Sequence, residues 1–391
     1  MNSYFATVEQ QLNPVLRDKP IGVIKAPGRT CIIAASVEAK KFGVKTGTTT
    51  WDSLKLCPQI VLVPSQMDHY FSMTKKLIKL AYDFSPDIEV FSIDEMFLDI
   101  TDTQKLWTGG AFQMALEIKQ RIHQDLGEWM RASIGISFTK LLAKTASEMQ
   151  KPDGLTFLTT EDYILNTQNL PVLEVCGIGF SRAKWLQTRG LFTLGQARQY
   201  PNLPPEIADL VWLRSNDDLT TIEQLSPAKS VSRSYTTYRI LNSKFEILNL
   251  IRNLCEEVAL KLREMHMVAR TFSVSMDGYH ARRTINSPTD DAKIIYLLFA
   301  NGQLPNEIRK AGVWASNLMF NTQCSMLNRR GDLFKAVDKI NNKFGGFTIY
   351  PAQLLGGELI RPEITGYLGD KWYHFGGPER TRTSTSYETS S

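Results

Sequence analysis

The stretch Phe91–Ile100, FSIDEMFLDI, places two carboxylates, Asp94 and Glu95, side by side within a run that alternates apolar residues from Ile88 onward. Neighbouring residues of a strand point to opposite faces, so both acids can meet one ion only where the strand turns. The pattern therefore predicts two short strands joined by a turn at Ser92–Glu95. Taken alone, an Asp-Glu pair reads as a solvated hairpin tip, since acids favour turns and are rarely buried unpaired. The surrounding sequence decides between tip and site.

A chain of 391 residues is too long for one core and suits two to four domains. Hydrophobic residues make up 43% and charged residues 22%, the balance of a soluble globular protein. No apolar run approaches the ~18 residues needed to cross a bilayer, and Met1–Gln10 lacks the basic start and apolar centre of a signal peptide. A cytoplasmic protein without a membrane partner is the expectation. Cys31, Cys57, Cys176, Cys255 and Cys324 are scattered and never spaced C-x-x-C, which argues against a disulfide framework or a zinc site. The histidines likewise show no ligand spacing. A net charge of +5 admits a nucleic-acid partner without requiring one.

Along the chain, Ile21–Ile24, Cys31–Ala35 and Ile60–Val63 are short apolar runs, and Ser36–Phe42 reads as a helix stopped by Gly43. Helical spacing returns over His69–Tyr82. Phe112–Met130 reads as a long amphipathic helix, Ile134–Ser137 as a buried strand and Lys140–Gln150 as a helix ended by Pro152. Short helices punctuated by glycine begin at Leu170 and form a small helical unit to about Leu225. Ser226–Phe245 holds Lys229, Arg233, Arg239 and Lys244 with no acid, and reads as a basic linker entering a strand. Beyond it, Ile247, Ile251, Leu254, Val258 and Leu262 mark one helix face. Thr271–Tyr279, Val313–Phe320 and Phe347–Tyr350 read as strands, Asp290–Ala300 and Asp332–Phe344 as helices. Helices on one face of a four-stranded antiparallel sheet, the other face open to a partner, pack that order. The Arg/Thr/Ser-rich end is expected to be disordered.

SIDE followed by the apolar strand Met96–Asp99 resembles the palm signature of the Y-family (DinB/UmuC-type) translesion DNA polymerases. NSYFATVEQ, NPVLRDKPIGV, SVEAKKFGVKTG, IGISFTKLLAKTASEMQKPDG, CGIGFSRAKWL and KSVSRSYTTY match that family in its order, from Met1 to about Gly369. The resemblance implies an α+β multidomain right hand. Its parts would be a palm (1–10 and 67–157), small fingers (11–66), a helical thumb (158–226), an α+β little finger (227–367) and a disordered tail (368–391). The implied activity is template-directed, low-fidelity DNA synthesis past lesions by two-metal nucleotidyl transfer, on primer–template DNA and deoxynucleoside triphosphates.

The same resemblance assigns residues. Asp94 and Glu95 would be catalytic ligands of two Mg²⁺ ions ~4 Å apart, with the Met1 backbone carbonyl as a further ligand. The family's first motif carries an Asp at the position immediately ahead of Met1, so the natural product is expected to start further upstream, and the chain as given to be a poor or inactive polymerase. Phe5 falls at the steric gate against a 2′-hydroxyl, and the Tyr4 and Phe5 backbone N–H groups at a helix start could meet phosphate. Lys40 and Lys151 would reach the triphosphate. Lys40 replaces the family's Arg and loses its bidentate fork, while Ala34 and Val37 stand where the family has a hydroxyl residue and a Tyr; Ser36 or Lys41 could compensate. Gly177 and Gly179, with Arg182 and Lys184, look like a helix-hairpin-helix gripping DNA phosphates. Lys229 and Arg233, with Arg270, Arg282 and Arg283, would follow the duplex backbone from the little finger.

A sliding clamp or a UmuD-like accessory subunit is a further partner that the family implies for a monomeric chain; Gln353-Leu354-Leu355 is a weak match to a clamp peptide. Two rival readings belong to other classes. A silent DNA-binding paralogue would keep the fold without the first acid, and a two-metal nuclease would degrade strands without nucleotides.

Overall fold

The computed structural model describes residues 1–25, 30–212, 218–221, 224, 228–320, 329–344, 348–350 and 352–354. The chain divides into two compact units, Met1–Ile222 and Glu223–Ser391. Among the described residues no helix is long and apolar enough to cross a membrane.

The first unit opens with helix α1 (Tyr4–Leu12), which buries Tyr4, Ala6 and Val8. Strands β1 (Ile21–Ile24) and β2 (Ile32–Ala35), helices α2 (Val37–Lys41) and α3 (Thr50–Leu56), and strand β3 (Val61–Pro64) follow. β1 lies between an antiparallel β2 and a parallel β3. Ile24, Ile32, Ala39, Val44 and Ile60 fill the small core beneath them. Ser36 and Thr49 cap α2 and α3 by accepting from Ala39 and Asp52 N–H, satisfying donors that a helix start leaves open. Helix α4 (Met67–Tyr82) then leads into the hairpin β4 (Ile88–Val90) and β5 (Met96–Leu98).

Helix α5 (Gly110–Arg121) is shorter than its apolar periodicity suggests. It passes into a π turn at Ile122–Leu126 and stops at Gly127. There φ is 130°, a conformation that a side chain strongly disfavours. Strand β6 (Ile134–Ile136), helix α6 (Lys140–Met149) and strand β7 (Leu155–Phe157) complete this region, with β6 and β7 parallel. Gly135 lets α6 sit down on β6, since a Cβ there would lie 2.0 Å from the Ala143 carbonyl oxygen.

Helices α7 (Thr160–Asn166), α8 (Phe180–Gln187), α9 (Leu194–Gln199) and α10 (Pro205–Val211) form the helical part. Its core of Tyr163, Val172, Leu186 and Leu194 also takes in Leu141, Leu142 and Ala146 from α6. One helix thus serves both the sheet and the helical core, and a boundary drawn at residue 158 cuts a shared interior.

The second unit runs β8 (Ser230–Leu241), α11 (Lys244–Glu264), β9 (Met267–Met276), β10 (Tyr279–Thr289), α12 (Ala292–Ala300), β11 (Ile308–Phe320) and α13 (Arg329–Phe344). The sheet order is β10-β9-β11-β8, antiparallel throughout. Phe272, Val274, Val313 and Ala315 pack against Ile251, Leu254, Val258 and Phe299. The helix-on-sheet expectation holds, with two corrections. The basic stretch after Ser226 is itself a long strand from Ser230. The fourth strand is Tyr279–Thr289, reached through Gly278 at φ 71°, whereas residues 348–350 form no strand. The tail at 368–391 lies outside the described residues.

Candidate active site

The predicted turn is present and anchored. Phe91 and Ser92 N–H both donate to the Glu95 carbonyl at 2.9 Å, and Thr74 Oγ1 donates to the Ile93 carbonyl at 2.6 Å. Ile93 is buried while Asp94 and Glu95 are half-buried. Both carboxylates converge on one hydroxyl: Ser92 Oγ donates to Asp94 Oδ1 at 2.8 Å and lies 3.5 Å from Glu95 Oε2. The turn thereby achieves what a straight strand could not.

Cations surround the pair. Lys144 on α6 pairs with Glu95, and its Nζ lies 3.3 Å from Glu148 Oε1. Burial alone would lower the Lys144 pKa, but the hydrogen bond and charge of Glu95 outweigh it and hold the ammonium on. Lys151 pairs with Glu148 at 2.7 Å. Burial and then the like charge of Lys151 hold Lys40 below the usual lysine value, with Glu148 and Asp94 opposing them. The charges of Lys151, Glu148 and Asp94 thus all reach Lys40. The Met1 amino group donates to the Asp94 carbonyl at 2.6 Å. It is the Met1 nitrogen, then, that meets Asp94, and burial lowers its pKa.

Two residues absent from the sequence reading hold this arrangement. Asn2, buried, donates through Nδ2 to Ser133 Oγ at 3.1 Å and accepts Asp153 N–H on Oδ1 at 3.0 Å, pinning the turn that carries Lys151. Tyr70 stacks on Phe5 with ring centroids 4.2 Å apart and planes at 11°. Its hydroxyl donates to Glu9 Oε1 at 2.6 Å. Tyr4 points into the interior, donating to the Tyr70 carbonyl at 2.9 Å, and burial pushes its phenol up. Tyr4 can therefore offer a ligand its backbone N–H but not its ring. Asn2 and Glu9 did carry a signal in sequence, as polar residues on the buried side of an otherwise apolar helix start.

Ser36 is fully buried, accepts from Ile21 and Ala39 N–H, and caps α2. It cannot also compensate for Ala34 and Val37; Lys41 is exposed on the same helix. In the helical part, Gly177 has φ 88° and lies against Leu210. Gly179 precedes α8 with open space beside it and no side-chain cap. Arg182 and Lys184 are exposed, Arg182 donating to the Gly177 carbonyl at 2.7 Å. In the second unit Lys229 is exposed, but Arg233 shares the helix-covered face with Val231 and interacts with Glu257 of α11. The strand alternation turns Arg233 away from the open face.

Residues 1–148 match the impB/mucB/samB family and residues 228–327 its C-terminal domain. DNA polymerase IV of Pelotomaculum thermopropionicum is 33% identical over 380 residues, 90% of this chain and 93% of that protein. The DNA polymerase IV of Moorella thermoacetica is 32% identical over 384 residues, 91% and 95% of the two chains. The chain belongs to the Y-family of DNA polymerases. A solved Y-family polymerase chimera of Dbh and Dpo4 has the same fold, with TM-score 0.67 and 22% identity over 82% of this chain and 98% of that one. DinB from Sulfolobus solfataricus covers the same shares at TM-score 0.51 and 22% identity.

In this Y-family chain the Asp94–Glu95 turn stands at the mouth of an apolar groove of about 210 Å³. Met96–Leu98 of β5 line one side and Ile134–Ile136 of β6 the other, over Leu80 and Met114. Among the described residues β5 pairs with β4 alone and β6 with β7 alone. Each groove-facing edge thus presents ladder groups. The backbone of Met1 and Asn2 already bonds to both sides, Met1 to Asp94 and Asn2 N–H to the Arg131 carbonyl at 3.0 Å.

Proposed function

We propose that this chain carries out template-directed, low-fidelity DNA synthesis past damaged bases. The observation that carries the reading is the convergence of Asp94 and Glu95 on Ser92, with Lys144 pairing Glu95 and Lys151 held beside Glu148 on the same helix end. In the reaction the primer 3′-oxygen attacks the α-phosphorus of a deoxynucleoside triphosphate, a new O–P bond forms, and diphosphate leaves.

The donor set suits Mg²⁺, which takes hard oxygen ligands and is held by one or two carboxylates together with substrate phosphates. Asp94 and Glu95 would hold it, and it would supply the charge that activates the 3′-hydroxyl and screens the triphosphate. Lys40 and Lys151 would bind the non-bridging phosphate oxygens. Lys144 fixes the Glu95 carboxylate. Phe5, backed by Tyr70, would meet the sugar and exclude a 2′-hydroxyl. Gly177 and Gly179 of the helical part, with Lys229 and the open sheet face, would hold the duplex by its phosphates. Of the clamp-peptide match, Leu354 is buried in a 3₁₀ turn and Leu355 lies outside the described residues.

A labelled primer on intact and abasic templates, with Mg²⁺ and four deoxynucleotides, given to this chain and to the same chain preceded by a short apolar strand ending in Asp, tests the reading. Extension on both templates by at least one form, lost on Asp94→Asn, is expected. A primer bound but left unchanged by both forms would instead identify a silent DNA-binding protein, the reading that Ala34 and Val37 favour. Shortening without nucleotides would identify a nuclease.

A further inference from the structure

Strands β8–β11 hold not one Asp or Glu, and their register sets Arg282, opposite Ser273, and Lys310, two residues before Gly312, on a single face. Helices cover the face of the sheet that holds Phe272, Val274, Val313 and Ala315. Alternation from those residues puts Ser232, Ser234, Ser273, Ser275 and Trp314 on the other face. Trp314 is half-buried and stands opposite Ser232 on one side and Ser273 on the other. Its indole reclines along β11 over Gly312: a Cβ there would lie 2.4 Å from Cη2 and 2.8 Å from Cζ3 of the ring. A glycine inside a strand marks close approach of another group, and here that group is the ring. The far edge of the indole thus rests on Gly312, and its serine neighbours are too small to cover the ring.

We propose that Trp314 is a stacking platform for an unpaired base of single-stranded DNA. The acid-free basic sheet complements the phosphates on either side of that base, and an open aromatic face takes any base because every base has a π face. The proposal rests on the reading that this chain handles DNA, and it adds that the open sheet face holds an unpaired nucleotide as well as duplex backbone.

Fluorescence anisotropy of a labelled single strand and of a hairpin duplex, titrated at several salt concentrations, tests it. W314A should weaken single-strand binding by about fivefold or more, leave the salt dependence unchanged because no charge is lost, and leave duplex binding intact. W314F should restore most of the affinity. If W314A destabilises the sheet, W314L, which fills the space over Gly312 without a π face, should show the same selective loss. Equal losses on both DNA forms would overturn the platform in favour of a sugar–phosphate contact, and undiminished binding by W314L would make the ring a filler of the glycine gap. Single-strand binding by a chain that extends no primer, with or without an apolar strand ending in Asp ahead of Met1, would overturn the synthetic reading and not the platform.

Discussion

Phe5 depends on Tyr70, and Tyr70 on Glu9, so the proposed sugar contact is held by three residues in series. Phe5→Ala should raise ribonucleotide insertion relative to deoxynucleotide insertion by about tenfold or more, since a steric clash discriminates only while its ring is fixed. Tyr70→Leu should give a smaller change in the same direction, read from kcat/KM for the matched nucleotide pair. Equal ratios in wild type and Phe5→Ala would remove Phe5 from the sugar site. Lys40 sets a pH dependence. Its pKa is lowered, so it is charged at low pH and loses its proton at less alkaline pH than an ordinary lysine does. The KM for nucleotide should therefore rise early on the alkaline side, and Lys40→Arg, charged throughout, should flatten that rise. An unchanged profile would mean that Lys40 does not meet the triphosphate. Asp94 and Glu95 were legible in sequence as adjacent acids in an alternating run. Asn2 showed in sequence only as a polar residue at an apolar helix start, and its role, like that of Ser36, depends on partners such as Ser133 and Ile21 that only the fold brings near.

At the scale of elements, α6 presents Lys144, Glu148 and, just beyond its end, Lys151 as a ladder beside Glu95. Glu148→Gln would leave both lysines less constrained and should change nucleotide affinity more than the chemical step, seen as a shift in KM larger than that in kcat. Helix α11 carries a different burden. Burial pushes the Glu257 carboxyl up to about 7, with Arg233 opposing, and its Oε1 has no hydrogen-bond partner. A carboxyl with its folded pKa above the unfolded value stabilises most below the unfolded value and loses that contribution as pH rises through about 7. Melting of the second unit should thus weaken between pH ~5 and ~8, and Glu257→Gln should remove part of that decline. A decline of the same size in the variant would assign it elsewhere. Elements with clean periodicity, such as α11 and the β4–β5 hairpin, were readable in advance. β10 was not, because Arg283 interrupts the apolar alternation of Tyr279, Ala281 and Ile285 on the covered face of this edge strand. The early stop of α5 was hidden too, since the apolar spacing continues past Gly127 and only its backbone angle ends the helix.

At the scale of the whole molecule, ordered motifs from NSYFATVEQ to KSVSRSYTTY made the family legible, while composition and a charge of +5 excluded little. Boundaries were harder to read, because α6 feeds two cores and periodicity cannot show on which side of a helix a core ends. The central proposal is that the Asp94–Glu95 turn belongs to a polymerase active site. The most direct test is single-nucleotide primer extension in Mg²⁺ by this chain and by the same chain preceded by a short apolar strand ending in Asp. Template-matched addition by the strand-bearing form, lost on Asp94→Asn with primer–template binding retained, is the expected result. Intact binding with no nucleotide added by either form would contradict it.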